Sequence, residues 1–185
     1  MFERFRNERA KARANAAIVD ELFGAIAAAA RHPAHYTRHG VTDTVMGRYE
    51  MLVLHTWLFL HRARGGSAAL ETMAQDVVDT LFRELDSTLR EIGIGDTSVP
   101  KRMKKLARMV YGRWEAYGEA LDGSDYAALA GAIERNVYSE GGDARGAGDL
   151  ADYVRRSETA LRSQPDDALL SGWVRFADPV VSAVA

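Results

Sequence analysis

Apolar positions recur at spacings of three and four residues along most of the chain, and no stretch alternates apolar and polar residues with β-branched enrichment. The prolines Pro33, Pro100, Pro165 and Pro179 all fall where a helix can begin or end. The pattern predicts an all-α fold, a single helical domain over residues 1–185 with about six to seven helices around a buried central one. The first helix, Ala12 to Arg31, carries the stripe Ile18, Leu22, Phe23, Ile26 and should stop at His32, because a residue before proline is pushed out of the helical region. His32 to Gly40 has no periodicity and reads as a surface loop. A second helix, capped by Thr42 or Asp43 and running to about Arg62, has Met51, Leu52, Val53, Leu54, Trp57, Leu58, Phe59 and Leu60 around its whole axis. It is the expected central helix.

Ser67 can cap a third helix with the stripe Leu70, Met73, Val77, Leu81, Leu85, Leu89, Ile92. Its charged face offers the i,i+4 pairs Asp79 with Arg83 and Asp86 with Arg90, each worth about 0.2–0.5 kcal/mol. Gly93 sits where a left-handed cap is wanted, so Glu91 to Pro100 reads as a structured joint. The fourth helix buries Met103, Leu106, Val110, Trp114, Tyr117 and Leu121, and Ser124 can cap a fifth over Asp125 to Tyr138. The glycine-rich Glu140 to Asp149 reads as a linker. A C-terminal helical extension over 147–178 follows, its last short helix carrying Leu169, Leu170, Trp173 and Phe176, with the three tryptophans, Trp57, Trp114 and Trp173, read as core.

With 47% apolar and 27% charged residues the chain can bury a real core. Its 24 basic and 26 acidic residues give a net charge of -2, which excludes a protein basic as a whole and makes DNA an unexpected partner. The absence of cysteine excludes disulfides, thiolate zinc sites, iron–sulfur clusters and thiol nucleophiles. The longest apolar run, Met51 to Leu60, is too short for a spanning helix, which needs about 18 residues. The Arg- and Ala-rich start resembles a mitochondrial transit peptide, but Glu3 and Glu8 interrupt it, and it is expected to belong to the mature chain.

One charge pattern is unusual. Lys101, Arg102, Lys104, Lys105, Arg108 and Arg113 follow one another with no acid from Thr97 through Trp114, and Lys101, Lys104, Lys105 and Arg108 share a helical face. Cations in a first helical turn oppose the helix dipole by about 0.3–1 kcal/mol each, so local stability does not account for them. They are either a solvated face offset by Glu84, Asp86, Glu91 and Asp96 or a partner-binding patch; the dipole argument favours the partner. His32, His35 and His39 have ligand-like spacing, but a surface loop with ordinary histidines is the better reading, and His55 reads as a hydrogen-bonded core histidine. Gly93 to Asp96 lacks the third glycine, the preceding strand and the lysine of a phosphate loop. No catalytic grouping, metal site or cofactor site is expected.

The run GRYEMLVLHTWLFLHR (Gly47 to Arg62) and the longer LFRELDSTLREIGIGDTSVPKRMKKLARMVYGRWEAYGEAL (Leu81 to Leu121) resemble the ubiquinol-cytochrome c chaperone family. The specific part is D-x-x-L-R-E-x-G-x-G-D followed by V-P-K-x-M-K and Y-G-R-x-x-A-Y, and the resembling core spans about Asn15 to Tyr138. The resemblance implies a non-catalytic assembly factor that handles newly made cytochrome b during biogenesis of the ubiquinol-cytochrome c reductase. Mitochondrial members work with a second small helical factor and associate with the ribosome; the short N-terminus here fits a bacterial, cytoplasmic member, peripheral at most to the inner membrane. The expected partner-binding residues are Asp86, Arg90, Glu91, Asp96, Lys101, Arg102, Lys104, Lys105, Arg108, Tyr111 and Arg113. A ribosome- or RNA-associated module using the basic stripe 101–113 is the alternative.

Overall fold

Strong helix formers fill Arg4 to Ala17, and in the computed structural model, which describes residues 2–91, 99–139 and 141–181, the first helix α1 spans Phe2–Ala30, starting well before Ala12. It is followed by α2 (Pro33–Thr37), α3 (Val45–Ala63), α4 (Ala68–Glu91), α5 (Val99–Asp122), α6 (Tyr126–Val137), a 3₁₀ turn at Ala144–Gly146, α7 (Ala147–Arg162) and α8 (Asp166–Leu170). Among the described residues there is no strand. The all-α single domain is as the periodicity predicts, and α3 is its centre, touching α1, α4, α5, α6 and α7.

Apolar residues on both sides of α3 serve two clusters. Met51, Leu54, Trp57 and Leu58 pack with Tyr117, Ile133, Leu150 and Val154. Phe59 and Ala63 pack with Val19, Leu22 and Ile26 of α1, Leu70 and Val77 of α4, and Leu169 of α8. A third, smaller cluster joins Tyr49 and Val53 to Val110, with Phe82, Leu85 and Leu106 packed against it. It is the footing of an arm. From Phe82 to Arg90 on α4, and from Lys101 to Met109 on α5, no residue whose burial is described is fully buried. Met103 and Leu106 are therefore only half-buried, where the helical stripe predicts core.

Several caps differ from those the sequence favours. Thr44, not Thr42 or Asp43, caps α3, its Oγ1 accepting from Gly47 N at 3.1 Å, while Asp43 accepts from Arg48 at 2.7 Å. The Thr42 carbonyl comes so close that a Cβ on Gly47 would lie 1.9 Å from it, so this helix start requires glycine. Asp125 caps α6 through Ala128 N, because Ser124 sits at φ 54°, in the left-handed region. Ser67 does cap α4, accepting from Leu70 N. Of the two forecast ion pairs, Arg90 donates to Asp86 at 2.8 Å, whereas Asp79 accepts from Gln75 and Arg83 donates to Thr80.

The segment His32 to Gly40 is not a surface loop. It forms α2, with His32 Nδ1 accepting from Ala34 N at its start, and it buries His35 and His39 in the core. The glycine-rich linker holds it there: Asp143 N donates to the Gly40 carbonyl, and Gly146 packs on the His39 carbonyl, which a Cβ would meet at 2.0 Å. Carbonyl partners fix the ring tautomers. His35 Nε2 must donate to Ala29 O, which leaves Nδ1 bare to accept from His39 Nδ1 at 3.1 Å. His55 Nδ1 donates to Met51 O, so its Nε2 accepts from the Tyr153 hydroxyl at 2.8 Å. His55 is the hydrogen-bonded core histidine the sequence predicts.

After α8 the chain is extended, not helical. The Gln164 side chain both accepts from Arg175 N and donates to Arg175 O, and Ser157 Oγ accepts from Ala177 N. Trp173 is 51% exposed, with Arg175 stacked over its ring at 5.6 Å, so it is not a core tryptophan. Arg156 and Arg38 donate to the carbonyls of Asp178 and Val180, which lays the C-terminal segment on its own domain.

Candidate functional site

Where α1 ends, α3 begins and the α4–α5 arm leans in, four helices leave a groove of about 840 Å³. Small residues at the end of α1 make room for it: Ala27 and Ala30 form one wall, Tyr49 and Leu52 the floor, Leu85 and Leu106 the arm side. Val45, the first residue of α3, stands 74% exposed at its mouth. Arg31 and Arg48 are the charged groups along the lining, and both are exposed. Arg48 holds the Asp43 carboxyl below its usual range by hydrogen bonding. Burial, then the neighbouring Glu50, pushes the Tyr49 hydroxyl up to about 12, so it stays protonated and neutral.

The arm carries the basic stripe. Lys101, Arg102, Lys104, Lys105 and Arg108 are all exposed on α5, and among the described residues none of them is in an ion pair. Asp86 does not offset them, since it pairs with Arg90 of its own helix. Leu106 and Val110 mark the inward side of α5, so Lys101, Lys104 and Arg108 lie on its outer side, one helix thickness from the groove. Tyr111 is 52% exposed and meets Trp114 edge-to-face at 5.3 Å. Glu91 is the last residue of α4, and Asp96 lies outside the described residues.

Arg113 departs from this surface. It points inward and donates to Glu50 at 2.5 Å, with both side chains buried and its guanidinium 6.0 Å from the Tyr49 ring centre. Helical spacing alone shows why: Arg113 follows Leu106 by seven residues, which places it on the buried face of α5. This buried pair anchors the arm to α3 directly beneath the groove, so Arg113 positions the surface that the other cations make. The groove lining itself escaped the sequence reading. Its only trace there is the alanine run at the end of α1 and an apolar Val45 just after the cap.

The other histidines are structural. His35, His39 and His55 are held by burial well below the ordinary imidazole range, to about 2, about 4 and about 4, with repulsion from neighbouring histidines adding to the effect at His35 and His55. His61 is also lowered by burial, against the opposing pull of Asp122 at 3.1 Å. Among the described residues no group of three or more histidine or carboxylate side chains is arranged to hold a metal ion. Among them, too, no helix is long and apolar enough to cross a membrane.

A domain of this shape has been seen before. The crystal structure of the Cbp3 homolog from Brucella abortus is similar with a TM-score of 0.88 and 45% identity, over 97% of this chain and 99% of that one. The mouse ubiquinol-cytochrome c reductase complex assembly factor 1 is 25% identical over 143 residues. That match takes in 76% of this chain, which spans about half the length of the mouse protein (48%). The sequence profile of the ubiquinol-cytochrome C chaperone matches residues 37–176, from the end of α2 through the extended segment after α8. With most of its length matched, and with α3 and the α4–α5 arm inside the match, the chain belongs to the ubiquinol-cytochrome C chaperone family.

Proposed function

We propose that this chain is a non-catalytic assembly factor that binds newly made cytochrome b during biogenesis of the ubiquinol-cytochrome c reductase, from the cytoplasmic side of the membrane. The observation that carries the reading is an apolar groove walled by an arm whose outer cations are exposed and, among the described residues, in no ion pair. A nascent membrane protein exposes apolar helices joined by charged loops. An open groove with apolar walls accepts the first, and Lys101, Lys104, Lys105 and Arg108 attract acidic parts of the second. Asp86 and Arg90 supply further polar contacts on the facing helix. Family membership supports a role in assembling this complex.

The test is capture of cytochrome b from solubilised membranes by the wild type and by Lys101→Glu, Lys104→Glu, Lys105→Glu in one variant. Loss of capture by a variant that keeps its helical signal and its melting temperature supports the reading. Undiminished capture by that folded variant refutes the role of the stripe. A second reading rests on the same five exposed cations: a ribosome- or RNA-associated module in which they neutralise phosphates. In that case ribosomal RNA is recovered instead and is released by modest salt, whereas binding led by apolar burial is not.

A further inference from the structure

A second groove, nearer the base of the arm, has the opposite charge. It occupies about 700 Å³ between α3, α4 and α5, with Trp57, Leu60, Val78 and Trp114 among its lining residues. Carboxylates rim it: Glu71 from α4, and Glu115, Glu119 and Asp122 from α5, against the single cation Arg64. Asp122 is engaged by His61 at 3.1 Å and, more loosely, by Arg64 at 4.0 Å, while Glu71 accepts from Gly65 N. Glu115 and Glu119 are exposed, and among the described residues their carboxylates are in no ion pair or hydrogen bond.

Local stability does not account for these acids. Glu119 and Asp122 occupy the last turn of α5, which holds no basic residue, and there the negative end of the helix dipole makes an anion unfavourable. With the cations of its first turns, α5 carries each sign of charge at the end where that sign is least favoured. Nor does packing use up the interior of the groove. Gly118 is buried, yet a Cβ placed on it would meet no atom within 4 Å outside its own stretch of helix. Two nearly inaccessible residues of the lining also keep a polar atom without a partner among the described residues, Nε1 of Trp57 and Nδ1 of His61. Because His61 Nε2 must donate to the Asp122 carboxylate, that Nδ1 is a bare acceptor.

We propose that this groove docks a lysine- and arginine-rich segment of the client, the one that flanks a membrane-spanning helix on its cytoplasmic side. The inference rests on the reading that the client is a membrane protein met from that side. Cytoplasm-facing loops of membrane proteins carry an excess of Lys and Arg, so such a client presents cations right beside apolar residues. The groove answers both. A lysine or arginine has an aliphatic stem and a charged head: Leu60, Val78 and Trp114 cover the stem, and Glu115 and Glu119 meet the head. The aromatic rings of Tyr111 and Trp114 in the lining suit a cation as well. Four carboxylates repel phosphate, which excludes nucleic acid and anionic lipid as occupants. The basic first half of α5 repels the same segment, so the two halves of one helix sort the client's charged parts and set its direction on the domain.

The experiment is fluorescence anisotropy with labelled synthetic peptides, each matching one cytoplasm-facing segment of the host's cytochrome b, titrated with the full chain. Two double variants are compared with the wild type, each checked for an unchanged melting curve. Glu115→Lys with Glu119→Lys reverses the groove; Asp20→Lys with Glu134→Lys makes the same change in net charge at exposed acids outside the grooves described. The wild type is expected to bind a Lys/Arg-rich peptide, the groove variant to bind it at least about tenfold more weakly, and the control variant to bind it nearly as the wild type does. The groove variant should in turn bind the same peptide with its Lys and Arg replaced by Glu. No binding of any basic peptide, a groove variant that binds as the wild type does, or an equal loss in the control each overturns the proposal. Whole cytochrome b captured equally by the wild type and the groove variant overturns it too and leaves the assembly reading intact. No capture of cytochrome b by the wild type, with the basic peptide still lost from the groove variant, overturns the assembly reading and leaves the chemistry of the groove standing.

Discussion

Acidifying the medium should unfold this protein through its buried histidines, well before its carboxylates titrate. His35, His39 and His55 are almost inaccessible, and their rings are locked in single neutral tautomers, His35 by Ala29 O, His55 by Met51 O and the Tyr153 hydroxyl, and His39 by donating to His35. A second proton on His35 would place two N–H groups against each other across the 3.1 Å contact with His39. All three groups are depressed in the folded state, to about 2, 4 and 4, against about 6.5 in the unfolded chain. Below pH 6.5 the unfolded state therefore binds the extra protons. The stability these groups confer is complete above that pH and is lost as pH falls through it towards their folded values. At pH 5.0 each costs about 1.36 × 1.5, or about 2 kcal/mol, and the three together about 6 kcal/mol. A domain of this size has about 5–15 kcal/mol to lose. Urea unfolding followed by circular dichroism at pH 7.5, 6.0 and 5.0 measures it directly. The double variant His55→Phe with Tyr153→Phe removes one titrating group together with its donor, and should shrink the pH dependence by about a third. A wild-type stability that differs by less than about 1 kcal/mol between pH 7.5 and 5.0 would refute the reasoning.

Breaking the buried Glu50–Arg113 pair from one side, as in Arg113→Met, should destabilise the domain by about 3–5 kcal/mol, read as a lowered urea midpoint, because the carboxylate is left buried without its counter-charge. Replacing Lys101, Lys104 and Lys105 by Glu should leave the melting temperature unchanged or raise it, since anions suit the first turns of α5 better than cations do; a marked fall would show that the lysines serve the fold. Gly112→Ala, on an open helix face, should stabilise by about 0.5–1 kcal/mol in chemical denaturation. Gly47→Ala should do the reverse and more strongly, because its Cβ would overlap the Thr42 carbonyl.

Periodicity marked the long helices, because each has an apolar stripe that must be covered; it did not mark α2 or the first turns of α1, which carry no such stripe. It also marked α3 as the centre, since apolar residues all round a helix leave no face for water. The charge stripe was legible too, as cations set against a helix dipole. What needed tertiary structure was everything decided by contacts distant in the chain. His35 and His39 look like loop residues until Asp143 and Gly146, about a hundred positions later, press that segment into the core. Arg113 looks like the last member of the stripe until Glu50 takes it inward. Trp173 has the size of a core residue, but Gln164 pins the backbone after it in an extended path that turns the ring outward. The two grooves exist only where helices diverge, and a gap between helices has no signature in any one of them. Sequence sets which face of each helix avoids water; packing decides which faces meet and which are left open for a partner.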